Sequence, residues 1–381
     1  MIAFLYAIYF FTALLCLMTY VVYPLLLSVV AKVVSKNFVK RDITPTVSII
    51  ISAYNEEKNI EQKIMNTLAL DYPKEKLEIL IGADGPTDKT AGIVRNFQKK
   101  GITFYDYAVN RGKTSVQNDL VAQSTGEILI FTDAASFLSP DVVRKIVRNF
   151  FDARVGGVAG RMHFVNTDLN LTTQSQGLYW KYEVKLRELE SKLGSLIGVD
   201  GPLYAIRREC YIPLEANIIS DLMTPLLVLA QGKNVVLEPE AFVEEVPTKK
   251  SEEEFNTRRR ITLRGMVGIF SHKRLLNPFR RPLLAFQILL HKVVRWFVGP
   301  LVILNTLACL MLISHNIFAN LLMVYAVFYI AAGVGWITAK TGPKLKLLTV
   351  PYYFCLVNLA ATMGLVDFFR KKQAITWKTV R

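Results

Sequence analysis

Val47-Ser48-Ile49-Ile50-Ile51-Ser52-Ala53-Tyr54-Asn55-Glu56-Glu57 is the stretch that decides the fold. Its first half is apolar and β-branched, the pattern of a strand buried on both faces, and it ends in a polar corner. Two further runs repeat the design. Leu77-Glu78-Ile79-Leu80-Ile81-Gly82-Ala83 ends in Asp84-Gly85-Pro86-Thr87-Asp88, and Glu127-Ile128-Leu129-Ile130-Phe131-Thr132 ends in Asp133. Strands that deliver acidic or polar residues at their C-terminal ends predict an open, Rossmann-like α/β sheet with its ligand site along that edge. Strand and helix patterns alternate over residues 45–246, which are expected to form this domain. Within it, Asn59 to Leu70 fits a helix. Ser139-Pro140-Asp141 is expected to open another, with an N-cap followed by Pro at N1.

Apolar segments flank the domain. Residues 2–31 carry no charged side chain and exceed the roughly 20 apolar residues that span a bilayer. A signal peptide fits poorly, because no charge precedes the apolar run. Residues 1–31 are therefore read as a transmembrane segment. Residues 247–296 form a basic and interfacial segment, with Glu252-Glu253-Glu254, Arg258-Arg259-Arg260 and an amphipathic stretch at 283–296 expected on the membrane surface. Residues 297–369 hold three spanning candidates, near 297–314, 318–338 and 347–369, and 370–381 are a basic tail. Lys32, Lys36, Lys40 and Arg41 follow the first segment, so the positive-inside rule puts the domain on the cytosolic face of a cell (inner) membrane. The side of the tail stays open: counting spans places it outside, whereas its five Lys and Arg residues argue for inside.

The chain of 381 residues is 52% hydrophobic and carries a net charge of +15 from 46 basic and 31 acidic residues. Many basic residues border apolar segments. Membrane lipid headgroups account for that better than nucleic acid, which is not an expected partner. Cys16, Cys210, Cys309 and Cys355 show no paired spacing, so free thiols are expected.

Several motifs occur in a fixed order: Ala53-Tyr54-Asn55-Glu56-Glu57, Asp84-Gly85-Pro86-Thr87-Asp88, Asn110-Arg111-Gly112-Lys113, Thr132-Asp133-Ala134-Ala135-Ser136, Gly201-Pro202-Leu203-Tyr204-Ala205 and Ser220-Asp221. This conjunction resembles the inverting family-2 glycosyltransferases of GT-A fold in their membrane-integrated form, over roughly residues 45–265. The resemblance implies that Ala53, Tyr54, Glu56 and Asp84 bind the nucleotide of a nucleotide-sugar donor, expected to be a UDP-sugar. A carboxylate such as Asp84 can accept a hydrogen bond from a pyrimidine imide; the alternative is a simple turn. Lys113, a compact cation, would lie near the donor diphosphate.

By the same resemblance Asp133 occupies the D-x-D position that holds Mg²⁺ or Mn²⁺ on the diphosphate. The second acid is Ala135 here, with Ser136 as a weaker oxygen ligand beside it. Asp221 is the implied general base, which takes the proton of the acceptor hydroxyl; a helix N-cap is its structural alternative. Gly201 and Pro202 resemble the acceptor-side segment. Arg258, Arg260 and Arg264 lie where processive synthases carry Q-x-x-R-W, and their guanidinium groups would face the leaving diphosphate. Thr257 and Ile261 stand where that motif has Gln and Trp. Tyr179, Trp180 and Trp296 offer other stacking surfaces, and His163 is assigned no role.

The expected function is inverting transfer of a sugar to a polysaccharide or a lipid-linked acceptor. A catalytically impaired nucleotide-sugar-binding or polysaccharide-export subunit is the alternative. For a growing polymer, Asn305, Asn358 and Tyr352 or Tyr353 would line a polar path through the apolar segments; otherwise they bond to neighbouring helices.

Overall fold

In a computed structural model, residues 1–165, 171–246, 251–341 and 346–376 are described. Residues 247–250 of the basic segment and 377–381 of the tail lie outside them. Among the described residues eight strands form one sheet: β1 (Val47–Ala53), β2 (Leu77–Asp84), β3 (Ile102–Tyr107), β4 (Ile128–Asp133), β5 (Phe137–Leu138), β6 (Val155–Phe164), β7 (Leu203–Arg207) and β8 (Asn234–Glu245). Their order is β3-β2-β1-β4-β7-β6-β8-β5. β1 to β4 run parallel, and β7 runs antiparallel to both β4 and β6. All seven residues of β1 are buried. Ile49 and Ile51 pack into one layer with Ile60 and Ile64, and Ile50 packs into the other with Val116 and Leu120. This period-two split is why the strand is apolar throughout.

The parallel register aligns the chemistry. Ser52 pairs with Asp133 and Ala53 with Ala83, so the corners after β1, β2 and β4 share one edge. The antiparallel β7 places Leu203 opposite Thr132, which brings the turn before β7 to the same edge.

Local boundaries differ from expectation at one helix. Val142–Val147 begins after Asp141, not at Pro140. The Ser139 amide instead donates to the Phe242 carbonyl, and the Pro140 carbonyl accepts from Asp71. Sheet pairing at β8 thus takes the residue that local sequence marks as a cap.

Among the described residues four helices are long and apolar enough to cross a membrane: Ile2–Val33, Pro282–Met311, Asn316–Ala339 and Thr349–Phe369. They indicate a membrane-integrated protein. The stretch 283–296, expected at the membrane surface, is helical from Pro282. It continues without a break into the next apolar segment through a π turn at Leu289–Val293. The first helix carries a matching π turn at Met18–Val22. A π turn disturbs the hydrogen-bond ladder, and the Thr19 hydroxyl donates to the Leu290 carbonyl across the two turns.

Of the polar residues expected along a path, Asn305, Tyr352 and Tyr353 bond to neighbouring helices, whereas Asn358 bonds within its own helix. The Asn305 amide donates to the Tyr9 carbonyl and to Thr12, and Asn358 donates to the Phe354 carbonyl. Tyr352 donates to Ser251 and Tyr353 to Glu254. The helix Thr349–Phe369 lies along Ser251–Ser271, fastened further by Arg259 on Asp367. Gly364 permits the close approach, since a Cβ there would sit 2.6 Å from the Arg259 carbonyl. Beyond this helix the tail turns back, and the Ile375 carbonyl packs on Gly112.

Candidate active site

The corner after β2 builds the loop that delivers Lys113. Asp84 is fully buried. Its two carboxylate oxygens accept from the backbone N–H groups of Arg111 and Gly112, each at 2.8 Å. Gly85 has φ +61°, and a Cβ there would lie 2.5 Å from the Asn110 nitrogen, so only glycine lets the loop close. Gly112, at φ +89°, then starts the helix Lys113–Gln123. Asp84 therefore anchors this loop through both of its carboxylate oxygens.

The corner after β1 is similarly internal. Ala53 is fully buried and Tyr54 half-buried. The Glu56 carboxylate accepts from Asn59, and its backbone N–H donates to Thr90. Glu56 thus fixes the start of the helix Ile60–Leu68.

Four expected residues converge at the sheet edge. Lys113 forms an ion pair with Asp133. A Cβ built at Gly201 would lie 3.0 Å from Asp221 Oδ2, 3.5 Å from Lys113 Nζ and 3.9 Å from Asp133 Oδ2. Gly201 therefore packs directly beside two carboxylates and an ammonium. Pro202, half-buried, completes the turn, in which the Leu203 amide bonds to the Asp200 carbonyl. Asp221 lies in the first turn of the helix Ser220–Ala230, whose N-cap is Ile219. The N-cap alternative for Asp221 is thus not realised. Burial pushes its carboxyl above the usual range, Lys113 pulls it down, and Asp133 raises it again.

The three arginines separate. Arg260 makes no hydrogen bond or ion pair among the described residues. Burial lowers its guanidinium, and Asp221 and Asp133 act in the opposite direction. Arg264 is buried and donates to Thr114 and to the Ala216 and Ile218 carbonyls, at 2.7–2.9 Å. Burial and then Arg260 bring it down to about 10. Arg258 pairs with Glu254 at 2.8 Å and lies over the Tyr179 ring. Arg258 and Arg264 thus brace the helix Ser251–Ser271; Arg260 lies within electrostatic reach of Asp221 and Asp133, and Arg264 within reach of Asp221. The stacking surfaces are also engaged. Tyr179 carries Arg258 and Arg295, Trp180 carries Arg187, and Trp296 lies against Gly265. His163 stacks on Phe242, and the four cysteines are free.

One residue escaped the sequence reading. Lys63 is fully buried and donates to the Thr132 hydroxyl at 2.8 Å and to the Ser136 carbonyl at 2.5 Å, so it braces both sides of Asp133. Burial brings it down to about 7, opposed by Asp133. Its position between Ile60 and Ile64, on the apolar face of the helix, was the available signal. Ser136 itself is fully buried.

Among the described residues no group of three or more metal-ligating side chains exists. Asp133 is partly exposed, and its carboxylate is a hard oxygen donor of the kind divalent cations take.

Residues 48–212 match Glycosyl transferase family 2. The chain is 30% identical over 122 residues to a poly-beta-1,6-N-acetyl-D-glucosamine synthase of Staphylococcus epidermidis, covering 32% of this chain and 29% of that protein. It is 27% identical over 169 residues to a beta-monoglucosyldiacylglycerol synthase of Nostoc sp., covering 43% and 36%. The matches thus span about a third of these relatives' length. The fold is similar to that of the mannosyltransferase PcManGT from Pyrobaculum calidifontis, solved with GDP-Man and Mn²⁺. The TM-score is 0.73 at 22% identity, covering 97% of this chain and 100% of that one. Residues 48–212 thus match the glycosyltransferase family 2 model, within a GT-A-like α/β domain that is joined, among the described residues, to four long apolar helices.

Proposed function

We propose that the protein transfers a sugar from a nucleoside diphosphate sugar to a lipid-linked acceptor, with inversion at the anomeric carbon. The observation that carries this reading is the packing of Lys113, Asp133 and Asp221 beside Gly201. Lys113 opens a helix, where backbone amides and an ammonium together suit a diphosphate. Arg260 supplies a second cation on the same side. Asp133 would hold Mg²⁺ or Mn²⁺ together with diphosphate oxygens and water; such an ion neutralises charge on the leaving group. Asp221 takes the proton of the acceptor hydroxyl as its oxygen bonds to the anomeric carbon. The bond from that carbon to the diphosphate oxygen breaks on the opposite face. Gly201, without a side chain, leaves room for the acceptor sugar.

A lipid acceptor is favoured over a polymer because Asn305, Asn358, Tyr352 and Tyr353 are spent on helix contacts, leaving a polar path without lining from them. The named relatives include both kinds of synthase. With Asp84 closed on its own loop, its carboxylate gives no ground for preferring a uracil base. The catalytic domain is proposed to face the cytosol. Ile375 against Gly112 brings the tail to that same side, so the helix Thr349–Phe369 would lie beside the domain and not cross.

The test incubates the purified full chain and Mn²⁺ with isotopically labelled UDP- and GDP-sugars and membrane lipid extract. Mass spectrometry should find a labelled glycolipid. A ladder of long chains would instead establish a polymerase, and no turnover of any donor would leave the impaired-subunit alternative.

A further inference from the structure

A buried layer of charge lies between the active site and the apolar helices. Helix Leu171–Lys192 supplies Glu183, Arg187 and Glu190, and helix Pro282–Met311 supplies His291, Lys292 and Arg295. Glu190 accepts from the Tyr23 hydroxyl at 2.6 Å. His291 bridges Glu190 and Glu183, at 2.7 Å and 3.3 Å. Arg295 pairs with Glu183 at 2.5 Å, and Arg187 pairs with Asp200. Each carboxylate has a partner, and so does every cation but one. Lys292 makes no hydrogen bond or ion pair among the described residues, although it lies within electrostatic reach of Glu183, Arg187, Glu190 and Arg295.

Lys292 belongs to the π turn Leu289–Val293 and is only partly buried. Its ammonium would lie 3.4 Å from a Cβ built at Gly198, a position also 3.8 Å from Leu222. Leu222 follows Asp221, and Gly198 precedes Gly201 by three residues, a length of chain that spans at most about 11 Å. The ammonium and the Asp221 carboxylate are therefore placed to touch one molecule. Arg260 and Lys113 already serve the donor side of Asp221. Lys292 lies on a helix that is otherwise long and apolar. A partly buried ammonium without a partner is costly unless an anion completes it.

We propose that Lys292 binds the phosphate of a lipid acceptor, whose hydrocarbon chain follows this helix into the bilayer. This rests on the glycosyltransferase reading and names the chemical class of its acceptor.

Binding of radiolabelled hexadecyl phosphate to the full chain in neutral detergent tests it. Wild type should bind saturably, Lys292→Gln should weaken binding about 10- to 100-fold, the worth of a charge-assisted contact, and Lys292→Arg should restore most of it. In the wild type, hexadecyl phosphate should also protect Lys292 from acetylation, a readout that needs no variant to fold. Equal binding by Lys292→Gln, absent protection, or competition by hexadecanol as strong as by the phosphate would overturn the proposal. Inorganic phosphate matching hexadecyl phosphate as a competitor would refute the lipid source. Donor turnover by the wild type is scored separately. Its absence removes the glycosyltransferase reading, whereas turnover without Lys292-dependent binding removes only this one.

Discussion

In the proposed reaction, Gly201→Ala puts a methyl group where the acceptor hydroxyl approaches. The added carbon would meet Asp221 Oδ2 at 3.0 Å, inside ordinary contact distance, so the carboxylate must give by a few tenths of an ångström. Lys113 and Asp133, at 3.5 Å and 3.9 Å, need not move. A misplacement of about 1 Å costs roughly 10²-fold in rate, so this smaller shift alone should cost about five- to tenfold in kcat/KM. Occlusion of the acceptor adds to that. Gly201 does not adopt a left-handed backbone, so alanine fits the chain and the melting temperature should hold. Gly92→Ala is the control. It lies in the helix Thr90–Phe97 with nothing within 4 Å of a Cβ, and should stabilise by about 0.5–1 kcal/mol with unchanged activity. The assay is steady-state transfer at varied acceptor. Wild-type kcat/KM in Gly201→Ala would refute the placement of Gly201 at the reaction centre.

Other expectations follow from the same geometry. Asp221 must be ionised to act, and burial raises its pKa, so kcat/KM should fall with falling pH at a value above the ordinary carboxylate range. Because Lys113 opposes that rise, Lys113→Met should move the acid limb further up; an unmoved limb would separate the two residues. Lys63 titrates at about 7 in the fold against an ordinary 10.5. The unfolded chain therefore binds more protons between these values, and thermal stability should rise with pH across that window, then level off below it. Lys63→Met should lose this slope, as thermal scans in detergent will show. Gly112→Ala meets the Ile375 carbonyl and carries φ +89°, so the tail should lift and trypsin should cut faster at Lys371 and Lys372.

The edge of the sheet was legible because β1, β2 and β4 are buried on both faces and so advertise themselves as apolar runs that stop at polar corners. The meeting of Lys113, Asp133, Gly201 and Asp221 was legible in kind, since each residue closes or opens an element. Their partners were not. Asp84 spends its oxygens on amides 27 and 28 residues away, and no local pattern distinguishes that from a ligand-facing carboxylate. Arg258 and Arg264 share a helix with Arg260, but the face each presents depends on Glu254, Tyr353 and the Ala216–Ile218 carbonyls. The charged layer around His291 joins residues more than a hundred positions apart. The helix Pro282–Met311 could look amphipathic in sequence because its polar residues face that layer within the protein.

The central claim is that Asp221 is the base in a site assembled with Lys113 and Asp133. It is tested most directly by measuring donor binding and transfer side by side in wild type and Asp221→Asn, with Mn²⁺ present and the donor that the wild type turns over. Retained donor affinity with a rate loss of roughly 10²–10⁴-fold is the expected result. Wild-type turnover by Asp221→Asn would contradict it.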